Sequence, residues 1–85
     1  MLQILSEPID VIMSSVGARH ASPVSLCWHN RDYPVTQVGL HHTVRLGRVL
    51  HHIFSVTSHD LFFRLNLNTE TLHWTLEEIS DGLPN

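Results

Sequence analysis

Eight of the 85 residues are histidine. Four fall in a near-repeat, Leu40-His41-His42 and, ten positions on, Leu50-His51-His52, with Arg45 and Arg48 between the pairs. Imidazole can ligate a metal, carry a proton near neutrality or stack on a base, so the chemistry this chain can offer is densest here. A zinc site needs three or four donors converging in a tetrahedron. Neighbours on an extended strand face apart, so only one His of each pair can serve one ion: His41 with His52, or His42 with His51. A third ligand would have to come from His29, His59 or Asp60. The usual zinc-motif spacings are absent. Exposed polar residues alternating with Leu and Val on a hairpin therefore rank above a metal centre. No metal is specified and no cofactor is implied.

The remaining constellations are weaker. Ser58-His59-Asp60 contains the residue types of a hydrolytic triad, but three consecutive residues cannot converge on one substrate atom, and the segment reads as a turn. The four glycines are scattered singly, so no phosphate-cradling loop exists. Glu77, Glu78 and Asp81 read as a solvated strand end. Arg31, Arg45, Arg48 and Arg64, with nearby aromatics, offer a small single-strand-binding patch as a further alternative. Trp28 and Trp74 lie on apolar strand faces and read as core before ligand platform. None of this is a convergent catalytic set, and the chain is expected not to be an enzyme.

Composition narrows the class. The five basic residues are all Arg, and eight carboxylates leave a net charge of −3 with His neutral. That opposes non-specific nucleic-acid binding, which rests on neutralising many phosphates. Eight added imidazole protons would turn −3 into +5, so acid reverses the field. Cys27 is the single cysteine, so no internal disulfide can form, and it reads as a plain strand thiol. The start of the chain lacks the pattern of a signal peptide, and apolar runs are too short to span a bilayer. A cytoplasmic location is the expectation.

The elements that must hold these residues follow a period of two. Ile9, Val11 and Met13 alternate with polar or smaller neighbours after Pro8. Residues 17–23 read as a loop, and Val24, Leu26 and Trp28 as a second strand. His29-Asn30-Arg31-Asp32 is a turn, with Asn30 able to enter the left-handed region. Tyr33 and Val35 continue the return, where Pro34 suggests an edge strand. Residues 39–52 are the least regular: an irregular strand, a long hairpin loop or one helical turn, with a bend at Gly47. Ile53 to Thr57, Leu61 to Leu67 and Leu72 to Ile79 are strands, separated by turns at 58–60 and 68–71. Short strands between turn signals predict one all-β domain over residues 1–85, with its core within about 7–82. The predicted architecture is a strongly bent antiparallel meander of five or six strands, half-barrel-like because a small sheet with one apolar face must curl on itself. The expected core is Trp28, Tyr33, Val35, Phe54, Val56, Phe63, Leu65, Trp74 and Leu76.

Several short motifs run through the chain: Glu7-Pro8-Ile9-Asp10-Val11, then Trp28-x-Asn30-Arg31-x-Tyr33-x-Val35, then Ile53-Phe54-x-Val56, and finally Trp74-x-Leu76-Glu77 with Asp81-Gly82. Over about residues 7 to 82 the chain resembles a family of small bacterial domains of unknown function. That family shows an E-P-I-x-V opening, a W-x-G-R-x-Y-x-V hairpin and a W-x-L-E final strand. A related domain forms the tail of some inactive Y-family-polymerase-like subunits of mutagenesis complexes. The resemblance implies an accessory, partner-binding role. Asn30 stands where the family has a turn glycine, and the His-His pairs stand where it has His-Trp and further aromatics.

The expectation is therefore a non-catalytic protein-interaction or accessory module. Its binding residues are sought among His41, His42, Arg45, Arg48, His51 and His52, because loops on a rigid scaffold commonly carry binding residues. The partner is expected to be a protein. Nucleic acid ranks second, no membrane is involved, and an open sheet leaves edges that a second copy could pair.

Overall fold

The computed structural model describes residues 1–15 and 21–82. Most of the loop expected at 17–23, and the chain after Gly82, lie outside them. Seven strands form one antiparallel sheet: β1 (Leu2–Ser14), β2 (Ser22–Trp28), β3 (Arg31–Pro34), β4 (Gln37–Leu46), β5 (Val49–Ser58), β6 (Leu61–Asn68) and β7 (Trp74–Ser80), in the order β3-β2-β1-β7-β6-β5-β4. The fold is the all-β half-barrel predicted. The strand count of five or six is too low, because residues 39–52, read as irregular, form most of β4 and the first part of β5 on either side of a tight turn. No helix long and apolar enough to cross a membrane occurs among the described residues.

The edge strands β3 and β4 stand at opposite ends of the strand order, yet only Val35 and Thr36 join them. A link that short brings the two edges together at one end, which forces the sheet to curl. Backbone bonds fasten the seam: Val35 N–H donates to the Val24 carbonyl at 2.9 Å and Thr36 N–H to the Thr57 carbonyl at 2.8 Å. Across the curl, Tyr33 and Trp28 reach Phe63, with ring centroids 5.2 and 6.5 Å apart.

The concave face holds the core: Ile9, Leu26, Phe54, Val56, Phe63, Leu65, Leu76 and Ile79 are buried. Trp28, Tyr33, Val35 and Trp74 pack against that cluster but are only half-buried. Leu65 and Leu76 are paired neighbours with no exposed surface. Burying each such side chain stabilises by about 1.5–3 kcal/mol.

Bulges explain where strict alternation fails. Arg64 pairs with Glu78 and Leu65 with Leu76, which leaves Glu77 as an extra residue. That bulge shifts the phase of β7, so both Leu76 and Ile79, three apart, reach the core. Strict alternation from Leu76 would put Ile79 on the opposite face. In β4, Val38 pairs with Val56 and Leu40 with Ser55, leaving Gly39 extra. Val38 consequently packs inward, Leu40 is turned out and 56% exposed, and His41 follows on the concave side.

The turns use the residues the sequence offers. His29 and Asn30 have φ of 51° and 61°, the signature of a type I′ two-residue turn between the paired Trp28 and Arg31. Gly47, with φ 63°, opens the two-residue turn between Leu46 and Val49. Ser58 belongs to β5 rather than to the turn after it, and is fully buried.

Candidate functional site

The six residues singled out by type all lie on the β4–β5 hairpin, but its two faces divide them. Register pairs His41 with Phe54 and Thr43 with His52, which places both imidazoles on the concave side. His41 Nε2 and His52 Nδ1 are 2.8 Å apart. The His41 ring stacks on Phe54 at 4.1 Å and 5°, and Phe54 in turn lies 5.8 Å from Trp74. Of the two pairings the sequence allows, His41 with His52 is the one in contact.

His42 and His51 share the convex face. His42 is half-buried opposite Ile53, while His51 turns toward β6. His51 Nδ1 meets Asn66 Oδ1 at 2.8 Å, Asn66 Nδ2 donates to Glu77 Oε2 at 3.0 Å, and Arg64 Nε sits 3.2 Å from Glu77 Oε1. The bulge at Glu77 is what brings this carboxylate to Asn66 and Arg64. A carboxylate only accepts, so Asn66 must present its amide N–H to Glu77 and its oxygen to His51. Neutral His51 therefore carries its proton on Nδ1 and keeps an acceptor lone pair on Nε2.

Arg45 and Arg48 flank the hairpin tip, where Arg45 Nη1 donates to the Arg48 carbonyl at 3.4 Å. Across residues 37–52 there are two Arg, four His and no carboxylate. No group of three or more His, Cys, Asp or Glu side chains able to hold a metal is present among the described residues. His29, His59 and Asp60 do not join the His41–His52 pair in such a group. Two donors converge where three or four are needed.

A second constellation was not read from the sequence. β1 changes partner along its length: Leu2 to Ile9 pair with β7, and Asp10 to Ser14 with β2. At this exchange point a cleft of about 1010 Å³ opens between β1, the β2–β3 turn and the loop before β7. Glu7 Oε2 accepts the Trp28 indole N–H at 2.8 Å and lies 3.6 Å from His29 Nε2. His29 stacks on Trp28 at 4.0 Å. His73 and Trp74 line the opposite wall. Glu7 and Trp28 are 21 residues apart, and no local period connects them. The sequence signals that fall here are the turn at Asn30 and the motifs carrying Glu7, Trp28 and Trp74, none of which shows that these residues meet.

Cys27, also on the cleft wall, is half-buried. Partial burial raises its thiol pKa, and the Asp32 carboxylate opposite adds to this by charge and hydrogen bonding, with Asp10 contributing charge. The thiol form is thus favoured, which suits a structural residue rather than a nucleophile.

Comparison of the chain with protein-family models, curated proteins and solved structures finds no match.

Proposed function

We propose that this domain is a non-catalytic protein-interaction module that accepts an extended acidic segment along β4. The carrying observation is that β4 is a ten-residue edge strand in a hairpin bearing Arg and His but no carboxylate. An edge strand offers unpaired backbone groups that a partner strand can complete, while side chains set specificity. Leu40 and Leu46, 56% and 57% exposed, provide apolar contacts on the same strand. Pairing β4 with β4 of a second copy would set like-charged hairpins together, which is unfavourable. An acidic partner strand is complementary. The reading is in keeping with the resemblance to a family of small bacterial domains of unknown function, a relative of which forms the tail of some mutagenesis subunits. It places the domain in the cytoplasm as part of the same proposal.

The test uses an acetylated peptide of alternating Glu and Val, titrated into the ¹⁵N-labelled protein. Saturable shifts and slowed hydrogen exchange confined to β4 amides, lost in Arg45→Glu/Arg48→Glu, are expected. Shifts centred on β3, or binding unchanged by the charge reversal, would overturn the proposal.

A further inference from the structure

The cleft at the β1 partner exchange lies apart from the β4 edge and carries the opposite charge. Its walls hold the carboxylates of Glu7 and Asp10, the rings of Trp28 and Trp74, and the imidazoles of His29 and His73, with no Arg or Lys among the described residues. Among the described residues, Arg31, Arg45, Arg48 and Arg64 all lie outside the cleft lining, and His29 is the basic side chain beside Glu7. Carboxylates beside tryptophan rings attract an organic cation twice: by charge, and through the negative π face of the indole. We propose that this cleft binds an arginine- or lysine-bearing segment of a partner protein.

Size favours a segment over a small metabolite. About 1010 Å³ stands at the top of the roughly 300–1,000 Å³ range of small-molecule pockets, and the space opens to solvent along β1. The walls are also held in place. Glu7 is fixed by the Trp28 indole N–H, and Trp28 is backed by His29 at 4.0 Å and by Tyr33 at 6.5 Å. Trp74 is backed by Phe54. Such fixing reduces the ordering cost of binding.

The rim adds apolar contact. Leu72 is 70% exposed and holds a φ of 61°, a conformation that costs a branched side chain about 1–2 kcal/mol. The loop enforces it: Leu72 N–H donates to the Asn68 carbonyl at 2.7 Å, and Asn68 Oδ1 accepts from the amides of Glu70 and Thr71. Leu72 is thereby presented beside His73 and Trp74 on the cleft wall. It is placed to meet the aliphatic stem of a long cationic side chain.

Both tryptophans of the chain line the cleft, so intrinsic fluorescence reports its occupancy directly. The probe is the peptide acetyl-Ala-Arg-Ala-Arg-Ala-amide, titrated into the intact protein at low salt. A saturable shift in tryptophan emission is expected, weakened at least tenfold in Glu7→Gln/Asp10→Asn. Gln keeps an acceptor for the Trp28 indole, so the wall survives while the charge goes. Asp10→Asn alone, at an exposed position, should weaken binding severalfold and keeps the test valid should the double variant unfold. Arg45→Glu/Arg48→Glu should leave this titration unchanged, which separates it from the β4 proposal. Equal binding of the Glu-substituted peptide, or full affinity in the charge-neutral variants, would overturn the proposal. So would concentration-dependent self-association abolished by Arg45→Glu/Arg48→Glu, since the cation would then come from the hairpin of a second copy.

Discussion

His51 Nδ1 stands 2.8 Å from Asn66 Oδ1, and the orientation of that amide is set on its far side by Glu77. The relay runs across β5, β6 and β7 on the convex face. It leaves the outer nitrogen of His51 as an acceptor and holds the ring in one tautomer. Long-range ¹H–¹⁵N spectra of neutral His51 should show the proton on Nδ1. Asn66→Leu should abolish that preference while leaving the His41 and His52 signals in place. An Nε2–H signal in the unaltered protein would contradict the relay.

Period-two alternation was enough to read the sheet, the turns at His29-Asn30 and His59-Asp60, and most of the core from Phe54 to Leu76. It failed where a bulge adds one residue. A bulge changes the phase of everything beyond it, yet it leaves little trace in composition. Gly39 was the visible sign in β4, and without counting it Leu40 and His41 are assigned to the wrong faces. Glu77 gives no sign at all, so alternation alone puts Ile79 outside. The convergence of His41 and His52 was legible as one of two pairings, because residues facing each other across a hairpin follow from its turn. The Glu7–Trp28–His29 group was not, since it depends on β1 exchanging partners at Ile9 and Asp10.

The His41–His52 pair bears on metal binding. A hydrogen bond between two ring nitrogens uses one proton and one lone pair, and a bound ion would have to displace it. With two protein donors, retention through purification should fail. Protein prepared without a histidine tag should carry less than about a tenth of an equivalent of zinc, copper or nickel, against the single equivalent of a closed structural site. His52→Ala should then cost about 0.5–1.5 kcal/mol in urea unfolding, the worth of one hydrogen bond. A stoichiometric metal, or a melting temperature that collapses on chelation, would point to further ligands.

Ser58 is the buried polar residue whose environment is least favourable. Its side chain has no exposed surface, and its hydroxyl has no hydrogen-bond partner among the described residues. An unsatisfied buried hydroxyl costs roughly 1–3 kcal/mol. Ser58→Ala removes that group with little change in volume. It should stabilise the domain by about 1 kcal/mol, raising the melting temperature by roughly 4–8 °C for a chain of this size. A fall in melting temperature would show that the hydroxyl is bonded.

Cys27 makes stability depend on pH on the alkaline side. Burial first, then Asp32 and Asp10, raise its pKa above the ordinary 9.0. The folded protein thus keeps the thiol proton to higher pH than the unfolded chain does. Stability rises with pH only where the unfolded state binds more protons. Here it binds fewer, so the contribution is full below 9.0 and is lost as pH climbs through the folded value. Urea midpoints should therefore decline above that point, and the decline should be shallower in Cys27→Ala. At pH 8 the folded thiol should also react more slowly with iodoacetamide than the same thiol in urea, because the thiolate is the nucleophile. Equal slopes in the two proteins, together with equal alkylation rates, would mean that Asp32 and the β2–β3 pairing do not hold the proton on Cys27.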